Sequence, residues 1–208
     1  EVKAAYGEPL TLLHNYRLSN HGESAVYLRG DYYLTVYYDK HDNSRVQAIQ
    51  LIDRTVEQQL KGLYGKPSDS LASSYERQIF ELANVARVRN GLKPLTWDNS
   101  AAAAARKHSR NMAQQAFFDH TDLNGLTPFD RMKREGIEYS AAGENIAYGQ
   151  RDALEVHVGW MNSKGHRDNL LHSSYERLGV GVYLDSEGIP YYTQNFYTPI
   201  KLLSMKMD

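Results

Sequence analysis

The sequence predicts an α+β protein, with a small β-rich domain over residues 1–70 and a mixed helical and β domain over residues 71–208. Two observations predict this division. Nine of the 16 tyrosines precede position 76, none lies between 76 and 138, and seven follow. Capped helical patterns fill the stretch without tyrosine, and a strictly alternating segment follows near the C-terminus. Together these features indicate two regions of different architecture that join near residue 70.

The N-terminal region has the pattern of an antiparallel meander. Its strands are rich in β-branched and aromatic residues and are separated by turn-forming segments; they are predicted at 25–28, 32–38 and 46–52. A short helix is expected over 54–61, ending before Gly62. The segment 65–70 contains glycine, proline and serine, which is typical of a linker.

Four helices are predicted in the second region, each with an N-terminal capping signal. The predicted caps are Ser73, Asp98, Thr127 and Asp152, and Glu76, Asp130 and Glu155 would complete capping boxes. The first helix should span 74–90. The second carries small residues at 102, 105 and 109, a narrow stripe that allows a neighbouring backbone to approach closely.

The C-terminal segment is predicted to be a β-hairpin. Residues 178–184 alternate between apolar and small residues, 185–188 have turn composition, and 189–197 alternate back. The second region therefore mixes helices and strands.

Composition excludes several classes of function. With 24 basic and 25 acidic residues the chain has no basic field, so nucleic acids and anionic membrane surfaces are not expected partners. No apolar run approaches the roughly 18 residues of a membrane span. The absence of cysteine excludes disulfides, thiolate metal sites and cysteine nucleophiles. Because the chain begins at Glu1, we expect that an N-terminal segment has been removed.

Three polar residues are candidates for chemistry: His120, Glu144 and His166. Each is expected at the end of a segment beside small residues, where functional groups concentrate. Two imidazoles and a carboxylate are a ligand set for a divalent ion and also a general acid/base set. Their spacing matches no metal-binding signature, so hydrogen-bonded structural residues remain an alternative.

For three other histidines, two polar residues of the last strand and one tryptophan, a structural role is the first interpretation. His108, His157 and His172 are expected to be structural or solvated. Gln194 and Asn195 on the last strand could point into a cleft or form an ordinary polar pair. Trp160 is expected in the core.

Several motifs, in this order, resemble those of the CAP superfamily of cysteine-rich secretory proteins, antigen 5 and pathogenesis-related proteins. They are HSRNMA at 108–113, FFDH at 117–120, GENIAYG at 143–149, WMNSKGHRDNLL at 160–171 and LGVGV at 178–182. The resemblance covers about residues 72–198, and the form of the fourth motif is similar to that of bacterial members. Residues 1–70 resemble the CAP-associated domain that precedes this module in some Gram-positive proteins.

The resemblance implies an α-β-α sandwich with a central cleft where two histidines and two acidic residues face one another. His120, Glu144 and His166 match three of these positions. Ser163 falls at the fourth, where eukaryotic members carry an acidic residue. The missing carboxylate predicts that a divalent ion such as zinc, held by His120 and His166, binds weakly.

Three functions remain open. The preferred one is a secreted or cell-envelope-associated binding module that holds a lipid, glycan or peptide without turnover, because the tetrad is incomplete and no nucleophile motif occurs. The alternative is a metal-assisted, peptidase-like hydrolase in which Glu144 is the general base. In the third, exposed tyrosines of the N-terminal meander dock the protein to a partner.

Overall fold

A computed structural model describes residues 1–13, 16–17 and 22–200, with the backbone alone for 16–17. The chain divides into two compact units. One is Glu1–Leu63 with Met161–Ser163, and the other is Tyr64–Trp160 with Lys164–Asp208. Within the described ranges, no helix combines the length and apolar character needed to cross a membrane.

The smaller unit is built around a three-stranded antiparallel sheet. Its elements, in chain order, are α1 (Val2–Tyr6), β1 (Leu12–Leu13), β2 (Tyr16–Arg17), β3 (Ser24–Arg29), β4 (Tyr32–Asp39), β5 (Arg45–Asp53) and α2 (Arg54–Gln59). The sheet order β3-β4-β5 is the predicted meander. Alternate residues of β3 and β4 bury two apolar clusters, one around Tyr27 and Val36 and one around Val26 and Tyr33.

In its described residues, the larger unit combines five helices with a four-stranded sheet. Its elements are α3 (Asp69–Arg89), β6 (Thr96–Trp97), α4 (Asn99–Gln115), α5 (Pro128–Arg134), β7 (Tyr139–Tyr148), α6 (Ala153–Asn162), α7 (Lys164–Leu170), β8 (Arg177–Leu184) and β9 (Pro190–Pro199). The sheet order is β6-β8-β9-β7, with β6 parallel to β8 and the other pairs antiparallel. Both α3 and α4 pack against β8. The predicted hairpin is β8–β9.

Close packing of α4 on β8 depends on two glycines. A Cβ atom on Gly179 would overlap the backbone of Ala102, and one on Gly181 would overlap the backbone of Arg106. The small residues predicted on this helix therefore face a strand that also lacks side chains there. Such contact brings helix and strand backbones closer than ordinary side chains allow.

The predicted caps Asp98, Thr127 and Asp152 are confirmed. Asp98 accepts a hydrogen bond from the Ala101 amide, and Thr127 and Asp130 form a reciprocal capping box. Asp152 accepts from the amide of Glu155, and the Glu155 carboxylate accepts from the Arg151 amide. These bonds satisfy amide groups that the first helical turn leaves without partners.

The predicted capping box at Ser73 and Glu76 is wrong. The helix begins five residues earlier than expected, at Asp69, and Ser68 is its cap. Glu76 is buried, and its carboxylate accepts hydrogen bonds from the Arg106 guanidinium and from the amide of Val182. The glutamate therefore links α3 to α4 and β8 and does not cap the start of its own helix.

Trp160 lies in the core, as expected. Its side chain is buried, and its indole Nε1 donates to the carbonyl of Ile146 at 3.2 Å. This hydrogen bond links α6 to β7, the strand that carries Glu144.

Candidate functional site

The centre of the site is the carboxylate of Glu144, whose side chain is 1% exposed. His120 Nδ1 lies 2.8 Å from Oε1, and Arg131 Nη2 lies 2.8 Å from Oε2. Both carboxylate oxygens are therefore engaged by cationic or hydrogen-bonding partners. Because a carboxylate only accepts, His120 donates from Nδ1 and leaves Nε2 for an external ligand. His120 itself is half exposed.

Glu144 lies in the middle of β7, an edge strand of the sheet, and not at a segment end as expected. The residue before it, Gly143, has no room for a side chain, because a Cβ atom there would lie 2.5 Å from the Tyr175 hydroxyl. The residue after it, Asn145, is buried and donates to the carbonyl of His166 and to Gln194 Oε1. The GEN sequence is thus a strand segment packed on both faces.

His166 lies inside α7, which also differs from the expected segment end. Asn145 holds the carbonyl of His166 at 3.1 Å, and Asn169 donates to the backbone carbonyl of Glu144 at 3.1 Å. At the end of α7, the buried guanidinium of Arg87 donates to the carbonyls of Leu170 and His172. Side-chain bonds from a strand and from another helix thus fix the position of α7.

The environment shifts the pKa values of the two histidines in opposite directions. The hydrogen bond and ion pair with Glu144 raise the pKa of His120 above its ordinary value of 6.5, against the effect of partial burial. Burial, with a smaller contribution from the charge of His120, lowers the pKa of His166. The charge of His120 is thus felt at the His166 imidazole. We call His120, Glu144 and His166 the histidine site.

Gln194 and Asn195 lie on β9, the strand paired with the one that carries Glu144. They pair across the sheet with Asn145 and Glu144, respectively, and both are fully buried. With its amide oriented to satisfy its neighbours, Asn195 donates to Glu144 Oε2 at 3.2 Å. Their side chains therefore hold the strand residues and do not line an open cleft.

Ser163, the predicted fourth position, lies half-buried between α6 and α7 and is grouped with the smaller unit. In the described ranges, no three His, Asp or Glu side chains are grouped so that they could hold a metal ion. The Glu144 carboxylate is 1% exposed and bonded to His120 and Arg131, so it presents no open oxygen to an ion from solvent. The two imidazoles fall short of the three protein ligands usual in catalytic zinc sites. Metal binding at His120 and His166 stays a prediction.

Two residues beside Glu144 were not recognised in the sequence as part of the site. Arg131 is buried and forms the ion pair described above. His108 is fully buried, with Nε2 3.0 Å from the Asp119 carbonyl and 4.0 Å from Glu144 Oε1. Burial lowers the pKa of His108. Arg131 follows the Thr127 capping box by one helical turn, but nothing in that spacing indicates its partner in β7.

An exposed row of aromatic rings begins beside the histidine site. Phe118 contacts Tyr148 with ring centroids 4.8 Å apart, and Tyr148 stacks on Tyr191 at 5.3 Å. Phe118 and Tyr148 are 45% and 50% exposed. Because Glu144 and Tyr148 lie four residues apart on β7, they point to the same face of the strand. Contacts of Phe118 with Tyr148 and of His120 with Glu144 therefore align segment 118–120 along that strand. We call Phe118, Tyr148 and Tyr191 the aromatic row.

Comparison with known proteins gives one family. The profile of the cysteine-rich secretory protein family, CAP, matches residues 80–196. The chain is 45% identical over 127 residues to the uncharacterized protein YkwD of Bacillus subtilis, covering 61% of this chain and 48% of that protein. It is 37% identical over 181 residues to the uncharacterized membrane protein YlbC of the same organism, covering 80% of this chain and 51% of that protein. The chain thus spans about half the length of both relatives.

Among solved structures, an extracellular protein containing an SCP domain from Bacillus anthracis matches with a TM-score of 0.82 and 29% identity. The match covers 95% of this chain and 70% of that one. A share this large includes most of the N-terminal unit as well as the helical unit. A cysteine-rich secretory protein from Staphylococcus aureus, at 22% identity and a TM-score of 0.67, has the same fold.

Proposed function

This chain belongs to the CAP family, and on that premise we propose that it is an extracellular, cell-envelope-associated protein that binds a ligand at the histidine site without turnover. The extracellular location is supported by the similarity to the B. anthracis protein, which is described as extracellular.

The observation that carries the proposal is the engagement of both oxygens of Glu144. His120 and Arg131 each lie 2.8 Å from one of them. A general base needs an oxygen that can reach a substrate proton, and the Glu144 side chain is only 1% exposed. In this arrangement the carboxylate instead fixes the orientation of His120, whose Nε2 can exchange a hydrogen bond with a ligand. Such a site is organised for recognition.

The aromatic row supports a glycan as the ligand, ahead of a lipid or a peptide. The exposed aromatic surface of Phe118 and Tyr148 offers apolar contacts, while tyrosine hydroxyls and the His120 imidazole offer hydrogen bonds. A sugar ring presents both kinds of surface at once. A lipid chain would gain little from the polar groups, and binding sites place a few polar groups to fix orientation.

Calorimetric titration with soluble N-acetylglucosamine oligomers tests this proposal. Tyr148→Ala should weaken binding about tenfold, since loss of an aromatic stacking surface is worth about 1–1.5 kcal/mol. Tyr32→Ala is a matched control, because Tyr32 and Tyr148 are both 50% exposed and Tyr32 lies in the smaller unit. His120→Ala should also weaken binding.

Other outcomes of this titration would contradict the proposal. If Tyr32→Ala rather than Tyr148→Ala removes binding, the tyrosines of the N-terminal unit are the recognition element. If the oligomers do not bind but anionic phospholipid vesicles or envelope peptides do, the ligand class is wrong. If none of these binds, the proposed binding function fails.

A metal-assisted hydrolase is the second candidate, and the opposite pKa shifts of His120 and His166 favour it. A pair of groups whose environments push their pKa values apart suits acid–base catalysis. Calorimetry of the demetallated protein with zinc, compared with His166→Ala, tests the metal. Cleavage of peptides or peptidoglycan fragments that is lost in His166→Ala would support hydrolysis, whereas cleavage that survives would place the activity elsewhere.

A further inference from the structure

A concave site lies between α4 and the segment that leads into and through α5. Its volume is about 530 Å³, within the range of small-molecule pockets. His120, Glu144 and His166 do not line it. The buried part of its wall includes His108 and Arg131, and its exposed part includes Arg110 and Arg134. We call this site the α4–α5 cleft.

Two buried polar atoms in its wall have no hydrogen-bond partner among the described residues. They are Nδ1 of His108, whose residue is fully buried, and Nε of Arg131, whose residue is 7% exposed. Buried polar groups in proteins are nearly always paired, so each such atom calls for a partner. Both belong to residues that line the same cleft.

One of these two atoms accepts a hydrogen bond and the other donates one. His108 Nε2 lies 3.0 Å from a carbonyl oxygen, which only accepts, so Nε2 carries the proton and Nδ1 offers a lone pair. Arg131 Nε carries a proton and donates. A group that satisfies both must donate one hydrogen bond and accept another. Amides and hydroxyls do this, whereas a simple carboxylate only accepts.

The exposed part of the cleft is cationic. Lys107 is paired with Glu135, and Asp122 accepts from the backbone amides of residues 124 and 126. Arg110 and Arg134 form no ion pair with another described residue. The cleft thus combines two exposed guanidinium groups with a buried donor and acceptor.

We propose that the α4–α5 cleft binds a small acidic ligand whose carboxylate meets Arg110 and Arg134 and whose amide or hydroxyl groups meet His108 Nδ1 and Arg131 Nε. An acidic peptide and a sugar acid share this chemistry. The site is independent of the proposed function, because neither His120 nor the aromatic row lines it. Glu144 nevertheless connects the two sites, since its oxygens contact Arg131 on one side and His120 on the other.

The test is titration of the ¹⁵N-histidine-labelled protein with four probes, followed by imidazole NMR. N-acetyl-alanyl-glutamate and glucuronate represent the two sources. Acetate has the charge without a donor, and N-acetylalaninamide has the amide without the charge. We expect one of the first two to move the Nδ1 resonance of His108 saturably, while acetate and the amide leave it in place.

Variants at exposed positions then locate the carboxylate without disturbing the core. Arg110→Gln and Arg134→Gln should each weaken binding about threefold to fivefold, as expected for exposed ion pairs. Arg77→Gln on α3 is the matched control, because it removes the same charge outside the cleft.

Several results would overturn the proposal. One is the absence of any saturable shift at His108 with either acidic probe. Another is an equal response to acetate, which would mean that charge alone is sensed. Equal weakening by Arg77→Gln would show that the probes bind elsewhere.

Discussion

Glu144→Gln removes the charge at the centre of the histidine site and keeps nearly the same side-chain shape. In the wild type, the carboxylate is 1% exposed and its partner Arg131 is 8% exposed. The substitution leaves the guanidinium of Arg131 buried without a counter-charge. It also replaces the acceptor of His120 Nδ1 by a neutral amide.

The expected loss of stability follows from these burials. Removing one partner of a buried ion pair costs about 3–5 kcal/mol. Because the glutamine oxygen still accepts one of the two hydrogen bonds, we expect the lower end, about 3 kcal/mol. The bond to His120 adds at most about 0.5 kcal/mol, since that imidazole is half exposed and its pairing is screened by solvent.

Urea unfolding followed by tryptophan fluorescence measures the loss of stability in the structural unit that contains Glu144. Both tryptophans, Trp97 and Trp160, lie in the larger unit. Glu138→Gln removes an exposed carboxylate from the same unit and should change stability by no more than about 0.5 kcal/mol. If Glu144→Gln differs from this control by less than about 1 kcal/mol, the Arg131–Glu144 pair does not hold the site together.

The pH dependence of the stability lost in Glu144→Gln separately tests the His120–Glu144 hydrogen bond. A histidine whose pKa is raised on folding contributes stability that is complete below its unfolded pKa near 6.5 and is lost as the pH rises through the folded pKa. The deficit of Glu144→Gln should therefore be larger at about pH 5.5 than at about pH 8. A deficit that grows with pH would contradict the His120–Glu144 bond.

Three further predictions concern the same unit. NMR titration should give His120 a pKa above 6.5 and His166 a pKa below it, and Glu144→Gln should lower the former; equal values for the two imidazoles would contradict the assigned contacts. Gly143→Ala should cost about 1–3 kcal/mol by overpacking, whereas Gly159→Ala, in open space within α6, should stabilise the protein by about 0.5–1 kcal/mol in urea unfolding. Asp98→Ala should cost about 1 kcal/mol in the same assay through loss of the α4 cap; no change would mean that the cap is dispensable.

The elements that the sequence predicted well are those whose signals are local. Alternation in 178–184 and 189–197 predicted the hairpin, and Asp98 and Thr127 were recognised as caps because their partners lie within three residues. Ser73 and Glu76 satisfy the same local pattern. There the glutamate is bound by Arg106 and Val182, which are remote in sequence, so tertiary contacts override the local signal.

The structure brings two of the predicted site residues together, in a setting that the sequence did not indicate. His120 and Glu144 come together at 2.8 Å, but the strand that holds Glu144 lacks alternation because both of its faces are buried. The helix that holds His166 contains Gly165, which hides its helical pattern. Arg131 could not be assigned to Glu144 because their contact depends on the packing of α5 on β7.

The glycine-lined contact between α4 and β8 determines how closely the helix lies to the strand. A side chain at Gly179 or Gly181 would overlap the backbone of α4 at Ala102 or Arg106, so either substitution would push the helix away from the strand. The C-terminal end of that helix, at Ala116 in left-handed conformation, starts the segment carrying Phe118 and His120. Under the proposed function, substitutions in 117–127 would change ligand preference directly, because this segment carries Phe118 and His120. A substitution at Gly179 or Gly181 would instead shift the helix that leads into this segment and alter binding without changing a binding residue.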